Sequence, residues 1–168
     1  MHLKQDTATV DILVHCADVV RESPMAEARI EDLDLQYKTN VRAPYLLTQS
    51  FLPLLARARG QIVFINSSVA LTAKRREIGQ YGATKHALRA IADSLREEVN
   101  PKGIRVLSVY VGRTATPRQK ALHHSSGRPY RPEKLLQPND LASVVVQALS
   151  LPKTAEVTEI SIRPMMAK

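Results

Sequence analysis

The chain lacks several of the things common protein classes are built from. Cys16 is its only cysteine, so it can close no internal disulfide and has no second thiol for a zinc site. No metal centre is expected. No apolar run approaches the ~18 to 20 residues a membrane-spanning helix needs. The opening Met1-His2-Leu3-Lys4-Gln5-Asp6 has no apolar stretch of the kind a secretory signal requires. Those absences make a cytoplasmic location, away from any membrane, the expectation. Aromatic residues are only 4% of the chain, which leaves few rings on which to stack bases. Nucleic acid is not expected as a partner.

What the chain does have is an ordinary apolar fraction and a basic balance. Its 168 residues fit one domain, 1–168, with enough length to bury a core. The net charge is +8 and is unevenly spread. Arg113, Arg118, Lys120, Arg128, Arg131 and Lys134 share one segment whose only acid is Glu133. Such a cluster reads either as a solvated loop or as an attractor for an acidic substrate or phosphate. Cys16 ends the apolar run Asp11-Ile12-Leu13-Val14-His15-Cys16, where a small buried hydrophobe is expected.

Four segments read as strands. Residues 11–17 and 61–66 are continuous apolar runs, as in strands buried on both faces, and 104–110 and 157–162 are rich in β-branched residues. Residues 30–58 carry an apolar periodicity suited to one long helix or two joined ones. Pro44 and Pro53 predict a bend there, and Gly60 predicts its stop. A second helix is expected from Gly79 to Asn100, with Ala83, Ala87, Ile91 and Leu95 as its apolar stripe. A third runs from Pro138 to Leu149. Residues 112–137 read as irregular, and too long for an idle connection, so a flap over a site is expected. The alternation of strands and helices predicts an α/β fold with a parallel sheet.

The strongest chemical signal is Tyr81-Gly82-Ala83-Thr84-Lys85. Residues four apart share a helix face, so phenol and ammonium can enter one pocket. An ammonium beside a tyrosine favours phenolate and brings its pKa, ordinarily near ~10, toward the neutral range useful for proton transfer. Thirteen residues before Tyr81 stands Ser68, in the pair Ser67-Ser68 that follows the second strand. Asn40 interrupts the long apolar helix. Together with Asp11-Ile12-Leu13-Val14-His15-Cys16-Ala17-Asp18 and Val111-Gly112-Arg113-Thr114-Ala115-Thr116, these motifs resemble the short-chain dehydrogenase/reductase family over nearly the whole chain.

The resemblance implies a Rossmann-like parallel sheet with flanking helices and an NAD- or NADP-dependent interconversion of a ketone and a secondary alcohol. It implies that Tyr81 is the general acid or base. Lys85 would lower the tyrosine pKa and bind the nicotinamide ribose, Ser68 would hydrogen-bond the substrate oxygen, and Asn40 would position a relay water. Cys16, Ala17, Gly112, Thr114 and Thr116, with Tyr81 and Lys85, would line the cofactor. The substrate would be a small carbonyl or alcohol compound, and the chain would form a homo-oligomer.

The six glycines, at 60, 79, 82, 103, 112 and 127, do not make the family's Gly-x-x-x-Gly-x-Gly turn. The sequence therefore reads as lacking the first βαβ nucleotide-binding portion, which would leave residues 11–17 as an open apolar edge. Asp18 stands where the family turn has glycine, and Val111 where it has proline. Ser67 is expected to be a packing or turn residue, His15 a substitution for the asparagine of the family turn and not a catalytic histidine, and His123-His124 surface residues. The alternative reading is a non-catalytic, self-associating α/β protein.

Overall fold

A computed structural model describes residues 8–72 and 75–165. The opening stretch Met1–Asp6 lies outside them. Strands β1 (Ile12–His15), β2 (Gln61–Ser67), β3 (Arg105–Val111) and β4 (Glu159–Ile162) form one sheet in the order β1-β2-β3-β4. Every pairing is parallel. All four expected strands are present, with every boundary within two residues of the expected one.

The helical stretch after β1 comprises α1 (Ile30–Tyr37), a π-helical turn (Lys38–Arg42) and α2 (Ala43–Ala58). Its irregularity has a local cause. Pro44 has no N–H to give the carbonyl four residues back, and the turn before it widens, with the Ala43 N–H donating to the Lys38 carbonyl. Helix α2 ends on Arg59, which takes the left-handed conformation at φ 49°. Gly60 is not the left-handed stop the sequence predicted. Its missing side chain instead allows close approach, since a Cβ there would meet the Asp11 and Val10 carbonyl oxygens at 2.7 Å.

Helix α3 (Gly79–Val99) follows β2. Its core face is Tyr81, Lys85, Leu88, Ala92, Leu95 and Val99. The predicted stripe is therefore one position off at its start, because Ala83 faces solvent. The segment expected to be irregular contains α4 (Pro117–Ser125), started by the Thr116 hydroxyl accepting from Gln119 N–H and by Pro117 at its first position. Helix α5 (Pro138–Leu149) opens with a Gln137–Asp140 capping box.

The strands' alternation divides the core in two. Ile62, Phe64 and Val106 pack with Leu55, Leu88, Ala92 and Leu95 of α2 and α3. Val63, Leu107 and Val109 point the other way, onto Val145 of α5. The sheet grows in one direction throughout, yet the β3-to-β4 crossover uses the face opposite the first two. Its hand is therefore opposite to theirs, a departure from the usual uniform right-handedness. At the β1 edge the α5 face is uncovered, leaving Ile12 and Val14 nearly half exposed.

Candidate active site

The carboxyl ends of β1, β2 and β3 converge with the first turns of α3, the place where open parallel sheets bind ligands. Tyr81 and Lys85 lie one turn apart on the inward face of α3, both buried. The lysine ammonium sits 5.5 Å from the centroid of the tyrosine ring. Just past β1, Asp18 reaches into the same spot. Its Oδ1 lies 2.8 Å from Lys85 Nζ, and its Oδ2 accepts from the Tyr81 hydroxyl at 3.2 Å. Arg118, from the first turn of α4, closes on the same Oδ2. One carboxylate thus serves a phenol and two cations. Beside it opens a cleft of about 310 Å³ lined by Asp18, Val19, Arg21, Arg118, Leu122 and Ser125.

The electrostatics follow from this clamp. Burial alone would raise the Asp18 carboxyl pKa, but Lys85 and then Arg118 hold it below its ordinary value. Burial works against the charge on Lys85 and pulls its pKa down, with Asp18 opposing. With two cations on one carboxylate, the ionised form of Asp18 is the one that persists. For Tyr81 the expected depression is reversed. Burial first, and the Asp18 charge second, push the phenol well above its ordinary 10, against smaller opposing effects of Arg118 and Ser67. The Asp18 carboxylate is at once the counter-charge of Lys85 and the acceptor for the phenol.

Asn40 is buried in the π turn, and its carboxamide is fully committed. It accepts from Val19 N–H at 2.9 Å and donates to the Val19 carbonyl at 2.8 Å and to Thr84 Oγ1 at 3.1 Å. It thereby fixes the chain one residue beyond Asp18. Of the two serines, Ser67 is the one whose hydroxyl acts on the Tyr81 phenol. It also accepts from Val69 N–H, starting the short turn Ser68–Ala70. The turn role that the sequence implied for Ser67 is the one it has. Ser68 lies half-buried at the start of that turn.

The expected cofactor-lining residues divide. Cys16 and Ala17 follow β1 and are exposed, so Cys16 is not the buried strand residue anticipated. Gly112 donates to the Ile162 carbonyl, and a Cβ there would meet Pro164 and Arg163 at 3.0 to 3.1 Å. Its smallness serves contact with the end of β4. Thr114 donates to the Gly112 carbonyl, and Thr116 caps α4. His15 is a packing residue, stacked on Phe64 and hydrogen-bonded to Thr48. His123 is buried against Tyr130, not on the surface, while His124 is exposed. Among the described residues, no group of three or more His, Cys, Asp or Glu is placed to hold a metal. None of the described helices is long and apolar enough to cross a membrane.

Sequence reading offered Arg118 as part of a basic cluster for an acidic substrate and Asp18 as a departure from the family turn, but missed that the two pair.

A Rossmann-like sheet with a Tyr-x-x-x-Lys helix at its carboxyl edge defines a class of oxidoreductase. The family described as short chain dehydrogenase matches residues 1–127, and the chain belongs to it. An uncharacterized oxidoreductase of Staphylococcus haemolyticus is 30% identical over 157 residues, covering 93% of this chain and 65% of that protein. A sepiapterin reductase of Chlorobaculum tepidum is 28% identical over 163 residues, 97% of this chain and 65% of its own. The alcohol dehydrogenase of Thermococcus sibiricus, complexed with 5-hydroxy-NADP, superposes with a TM-score of 0.81 at 25% identity. That match covers 95% of this chain and 65% of that one. The chain thus spans about two thirds of the length of these relatives, a little under in each case.

Proposed function

We propose that this chain carries the proton-handling side of an NAD- or NADP-dependent oxidoreductase that interconverts a small ketone and a secondary alcohol. The observation behind this reading is the convergence of Tyr81 and Lys85 at the carboxyl edge of the sheet, braced by Asn40. Tyr81 would exchange the proton with the substrate oxygen, and Ser68 would donate a hydrogen bond to that oxygen, with Ser67 a candidate for the same task. Lys85 would take the ribose hydroxyls, and the backbone at Cys16, Ala17, Gly112 and Thr114, with the side chain of Thr116, would border the nicotinamide. When bound, the nicotinamide would supply or accept the hydride.

The donor set suits a ribose edge in kind, but with Asp18 in place its best donors are already used. The raised pKa of Tyr81 keeps the phenol protonated but makes it a weaker acid, so proton exchange at this site would call for release of the Asp18 clamp. The basic α4 segment, with Arg118 at the cleft, favours an anionic substrate. The clamp also favours a second reading, a non-catalytic member of the family, for which the half-exposed Ile12 and Val14 would suit association with a second copy.

Titration with NADH and NADPH, followed by nicotinamide fluorescence, tests the first reading. Saturable micromolar binding that Lys85→Ala loses is the expected outcome. No binding by the folded chain up to millimolar nucleotide would leave the second reading standing.

A further inference from the structure

Asp18 is where this site departs from simple inheritance, and its geometry carries more than a lost glycine. Three donors of different origin meet on one carboxylate: Lys85 and Tyr81 from α3, and Arg118 from α4. Lys85 is almost completely enclosed, with its side chain 2% exposed, and Asp18 is enclosed too at 14%. An ammonium so placed is stable only beside a counter-charge. Asp18 Oδ1 is sealed from solvent, with the Lys85 ammonium 2.8 Å away as its partner.

We propose that Lys85, Arg118 and Tyr81 form a carboxylate-binding site whose resident ligand is the tethered side chain of Asp18, and that any other oxygen ligand reaches these donors only by displacing it. A small carboxylate has the same charge and the same pair of oxygens, so it fits the vacancy that removing the side chain would leave. A nicotinamide ribose would compete for Lys85 and Tyr81 through its hydroxyls, and that half of the proposal rests on the function proposed above. The carboxylate half does not. Because α4 supplies Arg118, releasing Asp18 also frees α4 from β1, which couples entry of a ligand to the segment bordering the cleft.

The energetics set the size of the effect. A site open for less than about a tenth of the time shows an apparent affinity weakened by at least about tenfold. Asp18→Gly should therefore bind NADPH at least about tenfold more tightly than the native chain. It should also gain thermal stability from sodium formate, saturably and beyond an equal concentration of sodium chloride. The native chain should gain nothing beyond chloride, and Asp18→Gly/Lys85→Ala should lose the response.

The outcomes separate the two claims. A formate response in Asp18→Gly without NADPH binding supports the tethered ligand and overturns the nicotinamide reading. Equal NADPH affinity in native and variant chains overturns the tethered ligand and keeps the nicotinamide reading. No formate response from a folded Asp18→Gly, or an equal response from the native chain, also overturns it. If Asp18→Gly melts without cooperativity, Asp18→Ala removes the carboxylate while restraining the backbone and carries both measurements under the same criteria.

Discussion

His15 gives the fold a defined weakness toward acid. The imidazole is buried, stacked on Phe64 at 4.8 Å between ring centroids, and its Nε2 lies 2.8 Å from Thr48 Oγ1. Burial lowers its pKa from the ordinary 6.5 to about 4. The native state therefore holds the neutral ring while the unfolded chain takes up a proton, so stability is full above about pH 6.5 and falls as pH drops toward 4. At about pH 4.5 roughly a hundredfold protonation advantage in the unfolded chain faces a native ring only about a quarter protonated, a loss of about 2.5 kcal/mol. Asp18 does not confuse the measurement. Its depressed pKa makes its contribution disappear only as pH falls below its ordinary 3.8. Urea unfolding of native chain and His15→Gln at about pH 7 and about pH 4.5 reads the difference, since glutamine can still hydrogen-bond Thr48 but does not titrate. The native chain should lose about 2.5 kcal/mol more than the variant between the two conditions. Equal losses would refute the assignment of the buried neutral ring.

Asn40→Ala removes three hydrogen bonds and leaves the Val19 N–H and carbonyl unpaired, so it should cost about 2 to 3 kcal/mol in a urea melt. Gly60→Ala drives a methyl against two carbonyl oxygens at 2.7 Å and should cost about 1 to 3 kcal/mol by the same measurement. Arg96→Met strips the Val106 and Thr158 carbonyls of their guanidinium partner, at about 1 to 3 kcal/mol, and should show first as faster amide exchange near β4. Tyr81→Phe should lower kcat/KM for carbonyl reduction by at least about a hundredfold with little change in nucleotide affinity; an unchanged rate would remove the phenol from the chemistry.

The fold was readable where one element's pattern decides its own structure. Residues 62–65 are apolar without break because Ile62 and Phe64 face α2 and α3 while Val63 faces the α5 side. The elements misread are those fixed by other parts of the chain. The face of α3 is chosen by the direction of the site, which turns Tyr81 and Lys85 inward and puts Ala83 outside. Helix α4 has little apolar periodicity, so only its Thr116-Pro117 start marked it. Gly60 looked like a helix stop because sequence shows a glycine's freedom and not the carbonyl oxygens pressed against it.

The site shows the same limit in sharper form. Spacing along α3 is enough to bring Tyr81 and Lys85 together, but the state of the pair is set by residues 63 and 100 positions from Tyr81 and from Asp18 respectively. From the motif alone, Lys85 should pull the phenol's pKa down. In the structure the phenol moves up instead, because it is buried first and because Asp18, which the lysine balances, lies against it second. A motif states which groups meet, whereas protonation depends on the net charge of everything enclosed with them. Here the set is one phenol, one carboxylate and two cations, of which Lys85 is enclosed and Arg118 half exposed. Losing the carboxylate would restore the arithmetic the motif assumes, because both remaining cations favour phenolate. Asp18→Gly should therefore lower the Tyr81 pKa, seen as phenolate absorbance appearing at lower pH than in the native chain and absent from Asp18→Gly/Tyr81→Phe. An unchanged absorbance titration would mean that burial alone, without Asp18, sets the phenol's behaviour.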